Sequence, residues 1–128
     1  LLVELDARGF VVDCLPNLNA TQVAERTVPF VRRLRDGRPD VPIVMVEDRT
    51  NANAAWFPSR AEHHRANHAA FATAHAELVD GGVEGLTYVA DAPFLGADGE
   101  GTVDGSHPND LGMMRYAEAL EPILRRAF

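Results

Sequence analysis

Asp104 and His107 stand three residues apart in Asp104-Gly105-Ser106-His107-Pro108, a turn that leads into an amphipathic stretch. At that spacing a carboxylate can reach back to one imidazole nitrogen and fix its tautomer. The other nitrogen is then a general base, and the anion stabilises the imidazolium formed when it takes a proton. This is half of a hydrolytic triad. The same spacing also suits a plainer arrangement, in which Asp104 binds turn backbone and His107 caps the last helix. A second group, His64, His68 and His75, falls on one side of a helical stretch with Phe71 and Leu78. His64 and His68 have the i, i+4 spacing of zinc ligands. Neither a carboxylate nor a cysteine completes the set along the sequence, and the catalytic Glu of the two-histidine protease motif is absent, so no metal site is expected.

The apolar pattern supplies elements to position these residues. Phe10 to Leu15 reads as a buried strand ending at Pro16-Asn17, Val41 to Val46 as a second and Leu86 to Ala90 as a third. Asn19 with Gln22 is a capping-box pattern opening a helix over about 20–36, with a kink or late start expected at Pro29. Ser59 with Glu62 is a second such pattern, opening a long Ala-rich helix that runs to Asp80-Gly81-Gly82, where glycine can form a left-handed cap. The last helix spans about 109–127, with Met113, Tyr116, Ala117, Leu120, Ile123, Leu124 and Ala127 on one face. Strands and helices alternate, and the strands are nearly continuously apolar. That is the pattern of a parallel sheet with helices on both faces.

In such a sheet the loops after the strands gather at one edge, where ligands bind. Here they carry Asn17, then Glu47, Asp48 and Arg49, then the Asp104–His107 turn at the end of a Gly/Asp-rich loop from Asp91 to Gly105. Trp56-Phe57-Pro58, with Asp48 and Arg49, either lines a pocket or folds onto the surface. No Gly-x-Gly-x-x-Gly block follows any strand, so no nucleotide cofactor is expected.

The 128 residues carry 12 basic side chains, all arginine, against 19 acidic ones, a net charge of −7 that repels phosphate backbones. Nucleic acid is not an expected partner. No run of about 18 apolar residues occurs, so no membrane span is expected either. Residues 1–128 read as a single domain. Cys14, the one cysteine, forbids an internal disulfide and reads as an inert residue of the first strand rather than a thiol nucleophile. The chain starts at Leu1, and three strands make a thin sheet, so further upstream residues are expected.

The block Asp104-Gly105-Ser106-His107-Pro108-Asn109-Asp110-Leu111-Gly112 resembles the Asp-x-x-His-Pro block of the SGNH, or GDSL-like, esterases. Asp13-Cys14-Leu15-Pro16-Asn17 and Val46-Glu47-Asp48-Arg49-Thr50 resemble internal segments of a bacterial branch of that superfamily, and the likeness covers about residues 10–128. It implies a flavodoxin-like three-layer α/β/α sandwich, and a hydrolase of carboxylic esters using Ser, His and Asp on a small-molecule ester, without cofactor. By motif, His107 would be the base, Asp104 its orienting acid, and Asn17 the side chain that helps hold the oxyanion. Leu15 and Leu18 stand where the family usually has Gly and Asp.

The family's Gly-Asp-Ser-like nucleophile block is absent from these residues. The only serines are Ser59, read as a helix cap, and Ser106, inside the Asp-to-His turn. Nucleophile and base act as a unit. The sequence therefore reads as the C-terminal part of such a domain, its serine expected upstream. The alternatives are a non-catalytic binding module or partner fragment derived from an esterase, and an acyltransferase on the same machinery.

Overall fold

The computed structural model describes residues 1–90 and 94–128. Three strands, β1 (Phe10–Val12), β2 (Ile43–Val46) and β3 (Leu86–Val89), form a parallel sheet in the order β1-β2-β3. In register, Phe10, Ile43 and Leu86 lie side by side, as do Val12, Met45 and Tyr88. Helices α1 (Ala20–Gly37) and α2 (Pro58–Asp80) make the two crossovers, and α3 (Asp110–Ala127) follows β3. Two successive right-handed crossovers that step the same way across a sheet put both helices on one face. Accordingly α1 and α2 share a core with Ile43 and Met45, built on Val23, Val31, Phe71 and Leu78. The alternate residues Val44 and Val46 face the other way, into a second core with Val89, Phe94 and Leu120 under α3. β2 is buried at every position because it is covered on both sides. The expected three-layer α/β/α sandwich is the fold observed.

The capping box at Asn19 forms in full, its side chain accepting from the Gln22 amide while Gln22 reaches back, both at 3.0 Å. α1 starts there and runs through Pro29, so the late start is not seen. The box at Ser59 does not form. Pro58, with its preset φ, takes the first helical position and makes Phe57 the N-cap. At the far end Gly82, with φ +78°, lets the Val83 amide reach the Leu78 carbonyl at 2.9 Å, the left-handed cap expected there. On α3 the buried stripe is narrower than expected. Tyr116, Leu120, Ile123, Leu124 and Ala127 pack inward with Ala119, whereas Met113 and Ala117 are exposed. β1 ends at Val12, so Cys14 lies beyond the strand and is exposed, a correction to its reading as a buried strand residue. Part of the loop expected after β3, residues 91–93, lies outside the described residues.

Candidate active site

The carboxyl ends of the three strands open onto one edge, and the chain leaves each strand there through a polar segment. After β3 the segment returns as a tight hairpin, closed by an antiparallel bridge between Thr102 and Pro108 and by the Val103 amide on the His107 carbonyl at 3.0 Å. Its tip is the Asp104–His107 turn. Asp104 Oδ1 accepts the amides of His107 and Ser106 at 2.8 and 2.9 Å, and Asp104 Oδ2 lies 2.7 Å from His107 Nδ1. The carboxylate therefore does both things the spacing allowed: it caps the turn and orients the imidazole. The amide and ring of His107, then the Ser106 amide, hold the Asp104 carboxyl well below the usual carboxylate range, so it is an anion at neutral pH. The imidazole is 71% exposed, and it does not cap α3. Asn109 does so, its side chain accepting the Gly112 amide at 3.0 Å.

Two residues of the segment after β2 hold this turn in place. Arg49 Nε donates to the Ser106 carbonyl at 3.0 Å, and Asn53 Nδ2 to the Asp104 carbonyl at 3.4 Å. Trp56 is 81% exposed and shares with Val103 and Asp104 the wall of a cavity of about 420 Å³ beside the dyad. Asp48 lines no pocket with it, being fully buried against α2.

Asn17 closes the 3-10 turn Leu15–Asn17 that follows β1, and is exposed. The residue before it, Pro16, and Ser106 on the dyad turn face one cavity of about 200 Å³, floored by Ser59, Arg60, His63 and His64 of α2. Both serines of the chain thus line this cavity. Among the described residues, however, the side-chain partner of the His107 ring is Asp104 alone.

The histidines of α2 find the carboxylate that the sequence did not supply. Asp48 Oδ2 lies 2.9 Å from His64 Nδ1, and Asp48 Oδ1 lies 2.5 Å from His68 Nε2. One ligand atom from each of the three residues falls within 4.8 Å of the others, so Asp48, His64 and His68 are the described group that could be tested for a metal ion. The reading that no carboxylate completes the set is corrected: these contacts join β2's end to α2 across 16 and 20 residues of sequence. His75 is not part of the group; its ring lies tilted against that of Tyr88, with centroids 4.8 Å apart.

A parallel sheet sandwiched by helices, with its polar loops at the carboxyl edge, is the α/β architecture of the GDSL-like lipases. The chain belongs to that family: the model of the GDSL-like lipase/acylhydrolase family matches residues 1–125. Among solved structures it is similar to a protein from Bacteroides ovatus ATCC 8483 described as a GDSL-like lipase, at 34% identity and a TM-score of 0.95 over 98% of this chain. It is also similar, at 16% identity and a TM-score of 0.75, to the salicylyl-acyltransferase SsfX3 from a tetracycline biosynthetic pathway, again over 98% of this chain. The second likeness shows the fold alone. The chain spans 37% and 39% of the lengths of those two structures. Among curated proteins, none matches it at a significant level. No helix among the described residues is long and apolar enough to cross a membrane.

Proposed function

We propose that the protein hydrolyses carboxylic esters through an acyl-serine intermediate, with His107 as the base, Asp104 as the acid that orients it and Asn17 as an oxyanion donor. The observation that carries this reading is the 2.7 Å contact between Asp104 Oδ2 and His107 Nδ1, on a family member, with the imidazole exposed at the carboxyl edge of the sheet. With Nδ1–H donated to Asp104, Nε2 carries the lone pair. It takes the proton of the attacking hydroxyl as the serine oxygen bonds to the ester carbonyl carbon. The tetrahedral oxyanion is held by the Asn17 amide. Collapse breaks the bond to the alcohol, which leaves with the proton from His107. Water then repeats the sequence on the acyl-serine, releasing the acid.

Neither serine of this chain suits the role of nucleophile. A nucleophile has its hydroxyl within hydrogen-bond reach of the base, and among the described residues neither Ser59 nor Ser106 has its hydroxyl paired with the His107 ring, whose side-chain partner is Asp104. The reading therefore assigns the nucleophile to a serine outside these 128 residues, in keeping with the share of the two matched structures that the chain spans. The test is hydrolysis of a chromogenic short-chain ester by the complete protein that contains this chain. His107→Ala is expected to lower kcat by about 10⁶-fold, the scale of a lost triad base. Activity unchanged in that variant would refute the assignment.

A further inference from the structure

One stripe of α2 holds the segments that follow β1 and β2, and the second of these holds the Asp104–His107 turn. Arg60 Nη1 donates to Asn53 Oδ1 at 2.9 Å. One turn further, His64 lies against Asp48, and its Nε2 accepts the Asn51 backbone N–H at 3.3 Å. Asn67, fully buried, donates from Nδ2 to the carbonyls of Leu18 and Leu15 at 2.9 and 3.4 Å, which brace the turn carrying Asn17. His68 closes the stripe on Asp48. Two lines of contact therefore leave the same helix. One runs from Asn67 to the Asn17 turn. The other runs from His64 and His68 through Asp48 to its neighbour Arg49, and from Arg49 to the Asp104–His107 turn.

The protonation pattern speaks against a metal ion in this cluster. An imidazole that ligates through Nδ1 carries its proton on Nε2 and donates it to an acceptor. Here the partner of His64 Nε2 is a backbone N–H, so the proton sits on Nδ1, where it is given to Asp48. Both ring nitrogens are satisfied in that tautomer. Burial pushes the Asp48 carboxyl up, but the hydrogen bonds from His64 and His68 outweigh it and hold the group below its ordinary value. Asp48 is thus an anion clamped between two ring N–H groups.

We infer that the stripe Arg60, His64, Asn67 and His68, with Asp48, is a positioning element that fixes the oxyanion donor Asn17 and the base His107 relative to one another. The inference rests on the roles proposed above for those two residues. Holding both turns to one rigid helix matters because an error of about 1 Å in such a constellation can lower the rate about 100-fold.

The complete protein tests this with His68→Ala, His68→Gln and Asn67→Ala, with kcat and KM measured for a chromogenic ester and the His64 and His107 rings followed by nitrogen-15 NMR. Glutamine retains an N–H near the position of Nε2, and alanine does not. The expected result is a kcat lowered about 100-fold in His68→Ala and Asn67→Ala with KM little changed, and recovery of most of it in His68→Gln. The His107 ring signals move in His68→Ala and return in His68→Gln, while wild-type His64 keeps its Nδ1–H tautomer when zinc is added. The inference is overturned if the folded alanine variants keep wild-type kcat and unmoved His107 signals, or if glutamine fails to rescue. Zinc binding that moves the His64 proton to Nε2 overturns it in favour of a metal site. The ring signals answer even if the wild type hydrolyses no ester, which would instead count against the proposed function.

Discussion

Gly101 and Gly112 meet backbone to backbone: a Cβ on Gly112 would lie 2.0 Å from the Gly101 carbonyl oxygen. That carbonyl also accepts the Asn109 amide at 3.1 Å, so the stem of the dyad hairpin is pressed onto the first turn of α3. Gly112→Ala forces the two apart, and neither is a flexible side chain that can swing away. The expected result is a loss of about 1–3 kcal/mol in denaturant unfolding, on the scale of overpacking a filled site. The hairpin resonances should shift further than those of β1.

Asp104→Asn keeps the shape of the turn and removes the anion. A carboxyl held lower in the folded than in the unfolded chain binds fewer protons in the fold, so its contribution is present above about pH 4 and fades as pH falls below that. Asp104 is therefore charged wherever the protein is assayed near neutrality. The variant is expected to lose about 10⁴-fold in kcat, and a pH–rate profile should show that no choice of pH restores it.

Tyr88 and Tyr116 are the two tyrosines of the chain, and both are held protonated beyond the usual phenol range of about 10. Burial is the first cause in each case. It is reinforced by Glu47, which accepts the Tyr88 hydroxyl proton at 2.5 Å, and by Asp13, which accepts that of Tyr116 at 3.0 Å. Above that range the unfolded chain loses these protons while the folded one keeps them, so stability present below about pH 10 falls as pH rises further. A difference spectrum between wild type and the Tyr88→Phe, Tyr116→Phe double variant should show no tyrosinate at pH 10, and tyrosinate should appear together with unfolding at higher pH.

Phe71 is fully buried between α2 and the sheet, its ring centroid 5.7 Å from that of Tyr88. Phe71→Ala is expected to remove about 3–5 kcal/mol, read as a shift of the denaturation midpoint. Asn19→Ala removes the side-chain cap of α1 and is expected to remove about 1 kcal/mol by the same measurement.

What the sequence made legible was local. The 104–107 turn forms because its donors and acceptors lie within three residues of each other, and the Asn19 box for the same reason. The β2 run Ile43-Val44-Met45-Val46 announced a strand covered on both faces because no position in it tolerates water. The capping rule misled at Ser59, where Pro58 had already set the start of α2. The α3 stripe is narrower than its apolar pattern because the cluster under the helix is met from Tyr116 onward, one turn past Met113. Asp48 could not be joined to His64 and His68 from spacing, since the contact depends on how the end of β2 docks on α2. Asn67 gave no signal at all, because its partners are backbone carbonyls, which every residue carries.

The most direct measurement of the central claim is labelling of the complete protein with a fluorophosphonate, with the adduct located by peptide mapping in wild type and in His107→Ala. The account predicts one labelled serine outside residues 1–128, and its loss in the variant. An adduct on Ser59 or Ser106, or labelling that survives removal of His107, would contradict it.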